Sequence, residues 1–152
     1  MQLKIYQEEA IDDLLKKAKK LLGMDHGKIL VFQSPTGSGK TIMMAEFLKQ
    51  LVDNKETKQS LSFIWTAPKK LNIQSKEKLD NYYEKSRALE CSYFEDLNDR
   101  KIEENEILFF NWSSVNKEKA IIIRENEQEF YLAKVLERTQ EEGRKIIWRL
   151  SC

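Results

Sequence analysis

The sequence predicts an α/β domain built on a mostly parallel sheet. Short runs of β-branched and aromatic residues alternate with longer stretches of three-and-four apolar spacing, and this alternation recurs along the chain. Between the first such run and the second such stretch lies a glycine-rich turn, Ser34-Pro35-Thr36-Gly37-Ser38-Gly39-Lys40-Thr41. With 152 residues the chain fits one domain of ordinary size, and we read it as one unit.

Taken in order, Ile11, Leu14, Leu15, Ala18, Leu21 and Leu22 mark one face of an amphipathic helix that Gly23 is placed to end. A turn-like segment, Met24 to Gly27, carries the lone His26, read as solvated. KILVFQ, residues 28–33, then reads as a buried strand. Helical spacing resumes from Thr41 to Val52, and the polar stretch from Asp53 to Ser60 reads as a surface connection. LSFIWTA, residues 61–67, is a second strand stopped by Pro68, and a helix is expected from Leu71 to about Lys85. ALECSYF, residues 88–94, and EILFFNW, residues 106–112, are further strands; residues 127–142 have helical composition ending at Gly143. The chain closes on KIIWRLSC.

Composition narrows the function classes. The chain is 41% hydrophobic and 34% charged, enough for a core under a heavily solvated surface. No apolar run approaches the roughly 18 residues of a membrane span, and MQLKIYQEEA lacks a signal-peptide pattern, so a cytoplasmic protein with no membrane partner is expected. Cys91 and Cys152 lack CxxC spacing and read as free thiols. A net charge of +1 removes global basicity as an argument for nucleic-acid binding; residues 1–80 carry 14 basic and 10 acidic side chains, residues 81–152 carry 12 and 15, so any such binding rests on local groups.

The glycine-rich turn carries the clearest chemistry. Gly37 and Gly39 permit backbone conformations that turn successive N–H groups inward, and a following helix adds its partial positive charge, which together make an anion cradle. Polyphosphate suits such a cradle. Lys40 can reach the β- and γ-phosphates and is the candidate catalytic residue, while the Thr41 hydroxyl is placed to ligate Mg2+. The strict pattern begins with Gly where this chain has Ser34.

In that form, SPTGSGKT resembles motif I of superfamily 2 helicases and translocases, closest to the motor subunits of type III restriction enzymes. The resemblance implies a RecA-like P-loop fold, ATP and Mg2+ as ligands, and Ser34 to Thr41 as the binding loop. LKIYQEEAI resembles the family segment whose Gln, here Gln7, hydrogen-bonds adenine; a neutral amide offers the donor and acceptor that adenine's edge matches. TAPKKLNIQ looks like motif Ia, which implies nucleic-acid backbone contacts by Thr66, Lys69 and Lys70. FFNWSSVNK resembles the motif Ib region, implying similar contacts by Asn111, Ser113 and Ser114, with Trp112 either stacking on a base or sitting in the core.

One landmark is absent. Motif II of this group is a hydrophobic strand ending in Asp-Glu, but GRKII continues as Trp148-Arg149-Leu150-Ser151-Cys152. The expectation is a partial N-terminal helicase domain over residues 1–152, ended by a frameshift, premature stop or split gene, with the second RecA-like domain absent. Without the metal-holding Asp and water-orienting Glu, such a chain binds ATP and hydrolyses it poorly or not at all. The parent reaction implied is ATP hydrolysis coupled to DNA translocation, with a modification or specificity subunit as partner and weak DNA contacts in this chain. Two other classes compete: a non-catalytic nucleotide-binding module, and a small P-loop kinase, for which neither an arginine-bearing lid nor an acceptor site is found.

Overall fold

A computed structural model describes residues 2–24, 27, 29–35, 37–54, 59–111 and 132–150, with Lys69 and Leu150 as backbone. Several sequence expectations lie wholly or partly outside these residues: the turn with His26, Lys28 of the KILVFQ run, Thr36, the 53–60 connection, the 112–131 region with Trp112, Ser113 and Ser114, and Cys152. The chain divides into two compact units, residues 1–57 and 58–152.

The first unit is a pair of helices flanking the glycine-rich turn. Helix α1 spans Ile5–Leu22 and buries Ile11, Leu14, Leu15 and Ala18, four of the six residues its spacing predicts, while Leu21 and Leu22 are half-buried; Gly23 stands at its C-cap. It starts earlier than the apolar periodicity because polar groups build its first turn. The Gln7 side-chain carbonyl accepts the Lys4 backbone N–H at 2.9 Å, while the N–H groups of Gln7 and Glu8 donate to the Lys4 carbonyl. Helix α2 spans Lys40–Asp53 and buries Met43, Ala45, Phe47, Leu48 and Leu51. It packs against α1, each buried Leu, Met or Phe side chain contributing about 1.5–3 kcal/mol.

Between them the structure corrects one expectation. Residues 29–35 form no strand: Ile29 is 91% exposed and Val31 72%. An apolar run becomes a strand only when a neighbouring strand takes its backbone N–H and C=O groups, and periodicity does not report whether that neighbour is in place.

The second unit carries a four-stranded, all-parallel sheet in the order β2-β3-β1-β4 among the described residues. Strand β1 is Leu61–Ala67, buried throughout as expected of a central parallel strand. Helix α3, Lys69–Tyr83, follows Pro68 and returns over the sheet; strand β2 is Glu90–Tyr93, followed by two short 3-10 turns, and β3 is Glu106–Asn111. Helix α4, Leu132–Glu141, leads into β4, Lys145–Leu150.

Alternation along the strands splits the side chains between two faces. On one, Ile64 and Leu108 join Ile102 and the α4 residues Leu132 and Val135 in a buried cluster. On the other, Trp65 stacks on Phe109 with centroids 5.6 Å apart, and Lys76 of α3 lies 4.8 Å from the Tyr93 ring centroid. Cys91 shares that face as a free thiol, which burial and then the neighbouring Asp80 carboxylate push well above the ordinary range.

The end of the sheet where the strands begin is tied by polar groups converging on residues 101–106. Ser62 donates to the Glu103 carbonyl at 2.9 Å, the Ile102 N–H donates to Thr139 Oγ1 at 3.0 Å, and Lys101 pairs with Glu142 at 2.7 Å. Glu106, buried at the start of β3, accepts from Ser92 at 2.7 Å and from the Glu103 N–H at 2.8 Å. The opposite end of this sheet, where the strands finish, carries Thr66, Ala67 and Asn111.

Candidate phosphate loop and sheet-edge residues

The glycine-rich turn is held by few but specific contacts. Ser38 N–H donates to the Pro35 carbonyl at 3.1 Å, closing a turn, and the Ser34 and Ser38 hydroxyls are hydrogen-bonded to each other across it. Ser34, the departure from the strict pattern, thus supplies a loop-closing hydroxyl that glycine lacks. Gly37 and Gly39 adopt φ of +82° and +85°, the left-handed region that costs an L-side chain about 1–2 kcal/mol. The Met43 N–H to Gly39 carbonyl bond, 2.9 Å, opens α2.

Two features make this turn suited to an anion. Gly39 is the N-cap and brings no side-chain cap, so no side chain competes for the leading N–H groups of α2, and its first turn contains no acid. Lys40 and Thr41 occupy the first two helical positions, Lys40 exposed and Thr41 half-buried. The backbone is also tightly approached: a Cβ at Gly39 would lie 2.7 Å from Gln7 Nε2. These residues fit a polyphosphate. For a metal ion the fit rests on the Thr41 hydroxyl, since no group of three or more His, Cys, Asp and Glu stands together among the described residues.

Gln7 reaches the turn directly. Its Nε2 donates to the Ser38 carbonyl at 2.9 Å while its Oε1 holds Lys4 N–H. A primary amide has two N–H donors and two acceptor lone pairs, so one of each remains for a further partner. Tyr6, which sequence reasoning passed over, donates its hydroxyl to the same Ser38 carbonyl at 3.1 Å. The only signal for it was its adjacency to Gln7 at a helix start.

In the second unit the β1–β3 register sets Ala67 opposite Asn111, which brings the end of β1, just before Lys69 and Lys70, and Asn111 to the same end of the sheet. Lys69 and Lys70 open α3 beyond Pro68, with Lys70 exposed and Asn111 half-buried. Thr66 is turned inward: it is 1% exposed, donates to the Arg149 carbonyl at 3.2 Å, and accepts from Trp148 Nε1 at 3.3 Å. Trp148, Arg149 and Leu150 continue β4 beside β1, and the Arg149 guanidinium sits 4.2 Å from the Trp65 ring centroid, a cation–π contact.

Comparison with known families supplies the remaining observation. The family profile described as Type III restriction enzyme, res subunit, matches residues 1–145. The chain belongs to that family. Comparisons with curated proteins and with solved structures returned no match. The res-subunit family is one of ATP-dependent helicase and restriction-motor subunits with a RecA-like P-loop fold, and the parallel sheet flanked by helices agrees with it. The match covers the glycine-rich turn, Gln7 and the motif Ia and Ib segments, and it stops at Lys145, the first residue of β4. No helix among the described residues is long and apolar enough to cross a membrane.

Proposed function

We propose that this chain is the ATP-binding portion of a DNA-dependent motor of a restriction system. The observation that carries the reading is the turn itself: two left-handed glycines lead into a helix whose N-terminus has no side-chain cap, followed at once by Lys40 and Thr41. Ser34 to Thr41 hold the triphosphate through backbone N–H groups and the Lys40 ammonium, Gln7 reads the adenine with its remaining donor and acceptor, and Thr41 ligates Mg2+. When bound, the metal neutralises charge on the phosphate oxygens.

Hydrolysis by this chain is weak or absent in this reading. At the C-terminal end of β4, where the family resemblance puts Asp-Glu, stand Trp148, Arg149 and Leu150. None can hold a metal-bound water or orient an attacking one, and phosphoryl transfer depends on that positioning. The same feature favours the second reading, a nucleotide-binding module that does not turn over. Lys69 and Lys70, with Asn111 and the motif Ib serines Ser113 and Ser114, contact DNA phosphates weakly and without reading sequence. A modification or specificity subunit completes the assembly, in the cytoplasm.

ATP binding by calorimetry, with and without Lys40→Ala, tests the cradle. The expected result is binding by the wild type and a loss of at least about tenfold in the variant, the scale of a charge-assisted contact; equal affinities would overturn it. DNA-stimulated phosphate release from the wild type at a motor's rate would overturn the inference drawn from β4.

A further inference from the structure

The Ser38 carbonyl takes two hydrogen bonds from α1, one from Tyr6 Oη at 3.1 Å and one from Gln7 Nε2 at 2.9 Å. A carbonyl oxygen has two lone pairs, so both are engaged. In a trans peptide unit the C=O and the following N–H point in opposite directions. Fixing the Ser38 carbonyl toward α1 therefore fixes the Gly39 N–H on the opposite side, away from Tyr6 and Gln7. Rotation of the Ser38–Gly39 peptide turns on ψ of Ser38 and φ of Gly39, and Gly39, at φ +85°, has no Cβ to oppose its half of that rotation. Without an external hold, the Ser38–Gly39 peptide is free to present its carbonyl oxygen to an incoming anion in place of its N–H.

We infer that Tyr6 is a positioning residue for phosphate: its hydroxyl, together with Gln7, locks the Ser38–Gly39 peptide so that the Gly39 N–H stays turned toward the anion. This rests on the proposed reading of the turn as a phosphate cradle. It assigns Tyr6 a task separate from base recognition, because Tyr6 acts on the loop and leaves adenine to Gln7. Tyr6 is half exposed, so its hydroxyl is not needed to fill a core, and Tyr6→Phe keeps the ring while removing only the donor.

The test uses two probes with the full chain and Mg2+: ATP, and inorganic tripolyphosphate, which has no base. Tyr6→Phe is expected to weaken both by the same factor, about threefold to tenfold for one lost hydrogen bond, with an unchanged thermal midpoint. A loss confined to ATP would overturn the lock and make Tyr6 a base contact. Equal tripolyphosphate affinity in wild type and Tyr6→Phe would overturn it outright. If the wild type binds neither probe, the cradle reading fails and the lock with it, an outcome distinct from a wild type that binds and a variant that matches it. A second variant, Tyr6→Leu, removes the aromatic ring too; the lock requires it to bind tripolyphosphate no better than Tyr6→Phe.

Discussion

Thr66 and Trp148 are joined side chain to side chain across the β1–β4 pair, the indole N–H donating to the threonine hydroxyl at 3.3 Å. That hydroxyl in turn donates to the Arg149 carbonyl, so a residue that sequence reasoning directs at nucleic acid is also a buried strand-to-strand tie. Thr66→Val keeps the shape, removes the donor and acceptor, and leaves the indole N–H without its partner. The expected cost is about 1–3 kcal/mol of stability, read as a lower urea midpoint. An unchanged midpoint would show that the hydroxyl carries no structural load.

Gly37 and Gly39 share a backbone conformation but not a neighbourhood. At Gly37 an added methyl meets open space, so Gly37→Ala carries only the left-handed penalty of about 1–2 kcal/mol. At Gly39 the methyl collides with Gln7 Nε2 at 2.7 Å and displaces the amide from the Ser38 carbonyl as well. Calorimetry should find tripolyphosphate binding reduced more by Gly39→Ala than by Gly37→Ala. The reverse order would show that the Gln7 contact is dispensable.

Burial raises the Glu106 carboxyl above its ordinary value of 4.5, an effect that the Glu103 N–H and the Ser92 hydroxyl oppose without cancelling. The folded state therefore holds this proton more tightly than the unfolded state. The group's stabilising contribution is full below about pH 4.5 and is lost as pH rises through the raised value. Gln at this position can keep both contacts, since its Oε1 accepts the Glu103 N–H and its Nε2 donates to Ser92. Denaturation midpoints of Glu106→Gln relative to wild type should thus rise from pH 4 to pH 8. A difference that is flat across this range would contradict the assignment.

Much of this was readable from residue order. Strand β1 has the bounds expected for LSFIWTA because Pro68 cannot donate to a ladder and turns the chain into α3. The stripe from Ile11 to Ala18 became the buried face of α1. What local order does not carry is whatever depends on a partner remote in the chain. KILVFQ has strand composition, yet residues 29–35 form no ladder. The inward turn of Thr66 depends on Trp148, and the role of Tyr6 depends on Ser38; neither pairing leaves a trace in local spacing.

Cys91 offers a check on the sheet face it occupies. Its thiol is held well above the ordinary range by burial and by Asp80, so little thiolate exists near neutral pH. Iodoacetamide at pH 7.5, followed by peptide mapping, should label Cys91 only after denaturant is added. Rapid labelling of the native chain would place the thiol in water.

Lys69 and Lys70, if they meet DNA phosphates, do so through released counterions. Replacing both by Ala should lower the slope of log affinity against log salt by about 2 while leaving sequence preference unchanged. A slope identical to that of the wild type would remove both residues from the DNA contact.

The strand order has a consequence for how the chain is made. Phe63 of β1 pairs with Ile107 on one side and with Ile147 on the other, so both neighbours of the most buried strand are synthesised long after it. On the ribosome, Leu61 to Ala67 emerge as an apolar segment with two unpaired edges, and they stay so until β3 and then β4 arrive. Such late, non-local pairing folds slowly and leaves a sticky nascent strand. The central strand is thus the one whose pairing is completed last, when β4 has been made.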